Sequence, residues 1–260
     1  IGESAKVAGL FTLIEITGLL LVVWAGRGAL GSITADHVFQ IDPVLGVNGI
    51  IAGAFLAFYA FIGFEDMVNV AEEAKNPKRT MPLAILFSLI MSTVLYLLVV
   101  IVATKVVAPS ELAKSSAPLS LVYEKSGASH GTILSIIGIT AAVNGVVVQV
   151  IMGSRILYGL AKQGWLNAEL AAVNKETKTP LIATIVVVGM MIVATVALPL
   201  VSLAKATSLL ILSIFALVNA ALITIKRRHK KHDGYITVPL AVPALGAGSA
   251  ASLIFYQIIN

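Results

Sequence analysis

The chain has 260 residues, 58 % of them hydrophobic and 12 % charged, with a mean hydropathy of +0.97. Soluble domains carry about 25 % charged residues, so a soluble globular protein is excluded and an integral membrane protein is implied. Cysteine is absent, which excludes a disulfide framework and a thiolate metal site. The net charge of +5 reads as Lys and Arg gathered in cytoplasmic loops, not as affinity for nucleic acid.

A membrane-crossing helix needs about 20 mostly apolar residues. Seven stretches qualify and make a single transmembrane domain over 1–260: about 7–25, 47–71, 81–104, 131–152, 180–198, 207–225 and 238–258. The first carries Glu15 near its middle, roughly 12 Å from either end at 1.5 Å per residue. An acid at that depth is expensive and suggests function. Two readings fit it: a carboxyl that takes up and releases a coupling proton, or a polar group that ties its helix to a neighbour by a hydrogen bond.

The second stretch is interrupted. Apolar residues run to Phe58-Tyr59-Ala60-Phe61-Ile62-Gly63 and then meet Glu65, Asp66, Asn69, Glu72 and Glu73. A lipid-facing helix does not carry that many acids, because each costs about 2.5–3.5 kcal/mol on insertion scales. A glycine beside them predicts a break near 60–64, tolerated at membrane depth only where the freed backbone faces protein or a watery cavity. Broken helices at mid-membrane are where secondary transporters bind substrate. Glu65, Asn69 and Glu72 share one helix face. Glu72 and Glu73 also suit plain pairing with Lys75, Lys78 or Arg79 at the membrane surface. Tyr59 offers an aromatic face to an ammonium group, or simply packs, as Phe61 is expected to do.

The third and fifth stretches are uninterrupted. Between the third and fourth, Pro118 to Gly127 predicts a short amphipathic helix, Pro near its start and Gly near its end. The fourth stretch carries Asn144 and Gln149 and is expected to continue as a helix through Ser154 to Ala161. Asn144, Gln149 and Asn219 of the sixth stretch suit interhelical hydrogen bonds. The seventh, with Pro239, Pro243, Gly246 and Gly248, is expected to bend or start late.

With the start of the first span inside, the outer Lys and Arg are Arg27, Lys105, Lys114, Lys125 and Lys205, leaving 13 of the 18 on inner segments. That bias orients the chain as a multi-pass cell-membrane protein with its first residues cytoplasmic and its last outside. The basic cluster 226–232 anchors the sixth span. No P-loop and no zinc-protease helix motif occurs, so neither ATP nor a metal is implied. No cofactor is expected.

Phe58 to Pro82, written F-Y-A-F-I-G-F-E-D-x-x-x-x-A-E-E-x-K-N-P-x-R-x-x-P, resembles the sixth helix and following loop of amino acid permeases. These belong to the amino acid–polyamine–organocation superfamily, and the likeness is to its cationic-amino-acid-transporter-like branch. Three further stretches agree: Ser154-Arg155-x-x-Tyr158-x-x-Ala161-Lys162-Gln163-Gly164, Thr177-Lys178-Thr179-Pro180, and Leu217-Val218-Asn219 with Lys226-Arg227-Arg228.

The resemblance implies an all-α inverted-repeat transporter fold, in which the spans of this chain look like helices five to eleven. The second five-helix repeat, about 47–225, is then complete, and only the last helix of the first repeat is present. It implies a secondary active transporter, not an enzyme, that moves amino acids or related amines by alternating access with proton coupling. The carbonyl-rich break at Ala60, Phe61, Ile62 and Gly63 matches the family's site for the substrate ammonium. Tyr59 matches a gating or stacking aromatic, Gln149 a pocket residue of helix eight, and Glu65 an acid found in proton-sensitive relatives. Proton-coupled relatives often carry Lys near the position of Glu15, so the acid here keeps a titratable group but reverses its charge. The expected partners are an amino acid, protons and the lipid bilayer. The rival reading is a half-transporter that needs N-terminal helices or a partner subunit, or a seven-helix binding or receptor protein without transport of its own.

Overall fold

The computed structural model describes residues 2–31, 46–69, 71, 74–129, 131–228 and 237–259. Among these the regular structure is helical: α1 (Gly2–Ala25), α2 (Arg27–Leu30), α3 (Gly46–Tyr59), α4 (Asp66–Asn69), α5 (Pro77–Val106), α6 (Pro109–Leu112), α7 (Pro118–Lys125), α8 (Thr132–Lys162), a 3-10 turn (Ala168–Ala171), α9 (Leu181–Ala197), α10 (Leu200–Arg228) and α11 (Ala241–Ile259). Among the described residues α5, α8, α10 and α11 are long and apolar enough to cross a membrane; 9–25, 46–59 and 181–197 are shorter apolar helices. Their large apolar side chains stand widely exposed, Ile185 by 70 % and Val196 by 84 %. In water so much exposed apolar surface would aggregate; against lipid tails it costs nothing.

Three long helices outrun the apolar stretches that announce them. α5 begins at Pro77, α8 ends at Lys162 and α10 spans Leu200–Arg228. Charged side chains end the apolar window without ending the helix, since Lys and Arg are good helix formers.

Two compact units divide the chain, one of Ile1–Gln40 with Ile90–Val188, the other of Ile41–Leu89 with Gly189–Asn260. In the first, α1 packs on α8 and on the short α7. Its core joins Val22 of α1, Val102 and Ala103 of α5, Val107, Val122 of α7 and Leu134 of α8. The short helix predicted from Pro118 is α7, with that proline in its first turn. Val122 is the residue it buries. A Lys125–Glu111 ion pair at 2.6 Å ties α7 to α6 on an exposed face. α8 closes where Gly164 N–H and Trp165 N–H bond back to the carbonyls of Ala161 and Leu160, a geometry that satisfies two of the carbonyls a helix end strands. Farther on, the Asn174 carboxamide oxygen accepts from Glu176 N–H and Thr177 N–H, and Asn174 N–H donates to the Thr179 carbonyl. This closed loop delivers Pro180 to the start of α9.

In the second unit α10 packs along α11, and α3 lies against both. Phe55 of α3, Leu212 of α10 and Ala250 of α11 form the buried centre, with Phe58, Leu209, Ala216, Leu253 and Ile254 packed around it. Complete burial of one phenylalanine is worth about 1.5–3 kcal/mol in water; between membrane helices the same fit acts through close packing instead. The Tyr256 hydroxyl donates to the Asn48 carbonyl at 3.0 Å, joining α11 to the first turn of α3. α11 starts at Ala241, three residues later than the apolar stretch suggests. Gly246 lies where a Cβ atom would stand 3.0 Å from the Asn219 carboxamide oxygen of α10.

Candidate substrate site at a helix break

The second unit contains an interruption at the acid-rich stretch. α3 ends at Tyr59 and helix resumes only at Asp66. Between them the chain turns tightly. Ala60, Phe61 and Ile62 N–H donate to the carbonyls of Ala57, Phe58 and Tyr59, each three residues back. After the bend Asp66, Met67 and Val68 N–H do the same to Gly63, Phe64 and Glu65. Gly63 has φ +123°, a conformation essentially closed to residues with a Cβ. The glycine therefore defines where the helix comes apart, and nothing crowds the space its missing side chain would fill.

The Glu65 carboxylate turns back onto the break. Its Oε2 accepts from Gly63 N–H at 2.8 Å. A charged acceptor on a stranded peptide N–H makes a short, strong bond, so Glu65 stabilises the bend beside it. Tyr59, the last residue of α3, is 41 % exposed, whereas Phe61, Ile62 and Glu65 are half-buried. Asp66 is half-buried in α4. Glu72 and Glu73 lie outside the described residues.

An aromatic cluster braces the break from α10. The Phe215 ring meets Phe58 edge-on at 6.0 Å between centroids, and Phe64 at 5.4 Å with planes tilted by 41°. One ring thus touches both arms of the interruption. Sequence reasoning missed Phe215. It is the one aromatic residue of α10, but nothing local to that helix says which ring it meets. Asn219, one turn on, donates to the Phe215 carbonyl at 2.8 Å within its own helix.

The first unit holds the other polar site. Asn144 Nδ2 of α8 donates to Glu15 Oε1 of α1 at 3.0 Å. Tyr96 of α5 lies within electrostatic reach of the same carboxyl. The bond joins two helices, as the structural reading of Glu15 and Asn144 requires. Gln149 is five residues farther along α8, roughly 140° around the helix, and its side chain is exposed. Glu15 and Gln149 therefore belong to the first unit, Tyr59 to Gly63 and Glu65 to the second. Among the described residues no three His, Cys, Asp or Glu side chains gather to hold a metal.

The amino acid permease family model matches residues 2–260. The chain is 30 % identical to the branched-chain amino acid permease of Bacillus subtilis, over all of this chain and 55 % of that protein. It is 28 % identical to the methylthioribose transporter of the same organism, over 95 % of this chain and 53 % of that protein. It is 32 % identical to human cationic amino acid transporter 4, over 67 % of this chain and 28 % of that protein. The chain spans about half the length of the two Bacillus relatives. Every relative named is a transporter and none an enzyme. The long apolar helices, the interruption beside a cluster of acids and these matches converge: this chain is a multi-pass membrane protein and belongs to the amino acid permease family of the amino acid–polyamine–organocation superfamily.

Proposed function

We propose that this protein serves secondary active transport of amino acids or related amines, with the break at Tyr59 to Gly63 as the place where the substrate ammonium is held. The observation that carries this reading is the turn itself: α-helical bonding stops after Tyr59, and Gly63 at φ +123° redirects the chain. A carbonyl oxygen has two lone pairs, so the peptide groups of this turn can accept from a cation besides making their turn bonds. An inverted-repeat fold with seven spans, first residues cytoplasmic, fits the family membership and the distribution of Lys and Arg. Alternating access would then expose the break to each side in turn.

Proton coupling fits the two carboxyls. Glu15 is bonded to a neutral amide and not to a cation. It can take a proton without leaving an opposite charge buried and unpaired, the costly outcome for an ion pair. Glu65 bonds the peptide N–H at the bend, so a change in its charge changes how tightly the bend is held. The relatives' names span branched-chain and cationic amino acids, and both classes are candidates here.

The test is uptake of radiolabelled leucine, arginine and other amino acids by the full-length protein in proteoliposomes, with and without an inward proton gradient. Uptake that rises with the gradient is expected. Failure to move any amino acid under either condition would overturn the reading.

A further inference from the structure

Phe215 is not among the residues the break itself supplies, yet it touches both arms of it. Phe58 precedes the bend and Phe64 follows it, and the two rings lie 6.0 Å and 5.4 Å from the same Phe215 ring. Residues 60–63, whose carbonyls are the proposed ligands, are strung between these two anchors. The upstream anchor is part of the packed centre of its unit, beside Phe55, Leu212 and Ala216. The downstream arm opens with the Phe64 and Glu65 side chains and enters α4 at Asp66. The Glu65 bond to Gly63 and the Phe64–Phe215 contact both tie that arm to its surroundings.

We propose that Phe215 is a positioning residue of the substrate site: its ring fixes the spacing of the two arms and so sets where the peptide groups of residues 60–63 meet a substrate. The inference rests on the transport reading above and adds to it a residue on α10 that need not touch the substrate. Aromatic pairs at these distances favour edge-on and tilted arrangements over face-to-face stacking, so the contact carries direction as well as area. A ligand set moved off its place weakens binding, and the tenfold loss of affinity expected below corresponds to about 1.4 kcal/mol of lost contact. Leucine in its place keeps most of the apolar fill and loses the direction, whereas alanine loses both.

Two measurements on the full-length protein decide it, made on Phe215→Leu, which keeps most of the volume, and on Phe215→Ala. The first is hydrogen exchange in lipid nanodiscs. The expected result is exchange about tenfold faster at the amides of residues 60–67, with the amides of α10 and α11 around Leu212 and Ala250 unchanged. Unchanged exchange at the break, or faster exchange throughout the unit, would overturn the proposal, because Phe215 would then be either irrelevant or ordinary packing. The second is uptake of radiolabelled leucine and arginine. The half-saturating concentration should rise about tenfold while the maximal rate per inserted protein stays within a factor of about two. An unchanged half-saturation overturns the positioning role even if exchange responds. If the unsubstituted protein moves no amino acid, the transport reading falls by itself, and the exchange result still decides whether Phe215 sets the geometry of the break.

Discussion

The two polar sites of this molecule solve the same problem in opposite ways. In the first unit the helices stay continuous, and polarity enters through side chains: Glu15 of α1 accepts from Asn144 of α8 across the helix interface. In the second unit polarity enters through the backbone. The helix comes apart between Tyr59 and Asp66, and the side chains around the gap are largely aromatic. Membrane interiors punish any unpartnered polar group. A side-chain pair settles that cost once, in one geometry. A broken backbone replaces the regular helical ladder by tight-turn bonds, and under the proposal above its carbonyl lone pairs would also accept from a ligand. On the transport reading proposed above, the break would hold the substrate, and the Glu15 pair would serve proton coupling or stability.

The largest expected effect is at Gly63. Gly63→Ala forces a Cβ onto φ +123°, at a cost of about 1–3 kcal/mol, and the chain can relieve it by rebuilding continuous helix. Uptake should fall by about tenfold or more with insertion intact. Wild-type uptake from this variant would erase the distinction between the two sites.

Glu15→Gln comes next. The amide still accepts from Asn144, so the helix pair survives while the titratable group is gone. Uptake should lose its response to the proton gradient and keep its gradient-free rate. An unchanged gradient response would leave Glu15 as structure only.

Glu65→Gln exchanges a charged acceptor for a neutral one at the Gly63 N–H. About 0.5–1.5 kcal/mol of local stability should go, seen as faster amide exchange at residues 63–67. A slower exchange there would reverse the role assigned to the carboxylate. Asn144→Ala should cost about 0.6 kcal/mol, the mean for interhelical hydrogen bonds in a membrane protein, measured by unfolding in mixed micelles. Smallest of all is Lys125→Ala, which breaks an exposed pair with Glu111 worth about 0–1 kcal/mol; it should leave uptake unchanged, and a large loss would show that the α6–α7 connection takes part in transport.

Much of the second unit was legible in the chain. A glycine followed by Glu65 and Asp66 inside an apolar run cannot be an ordinary lipid-facing helix, and the physics of unpaired charge points to that spot before any coordinates. Helix α7 was legible for a similar local reason: Pro118 and Gly127 bracket it. The Glu15–Asn144 bond was not, because the partners are 129 residues apart and only packing of α1 on α8 joins them. Phe215 was hidden differently. A single Phe among Leu, Ile and Ala reads as lipid-facing filler, and nothing local to α10 says which ring it meets. The lengths of α5 and α10 were underestimated because apolar windows measure solubility in lipid, whereas helices end where capping and turn chemistry end them; the continuation of α8 past Ser154 was anticipated.

The Tyr256 phenol fastened to the Asn48 carbonyl has a mechanical corollary. α3 is moored at its entrance by that bond and at its exit by Phe55 sunk among Leu212 and Ala250. A helix held at two points cannot slide along its own axis or swing about one end. Any displacement of α10 and α11 would therefore carry the upstream arm along as cargo.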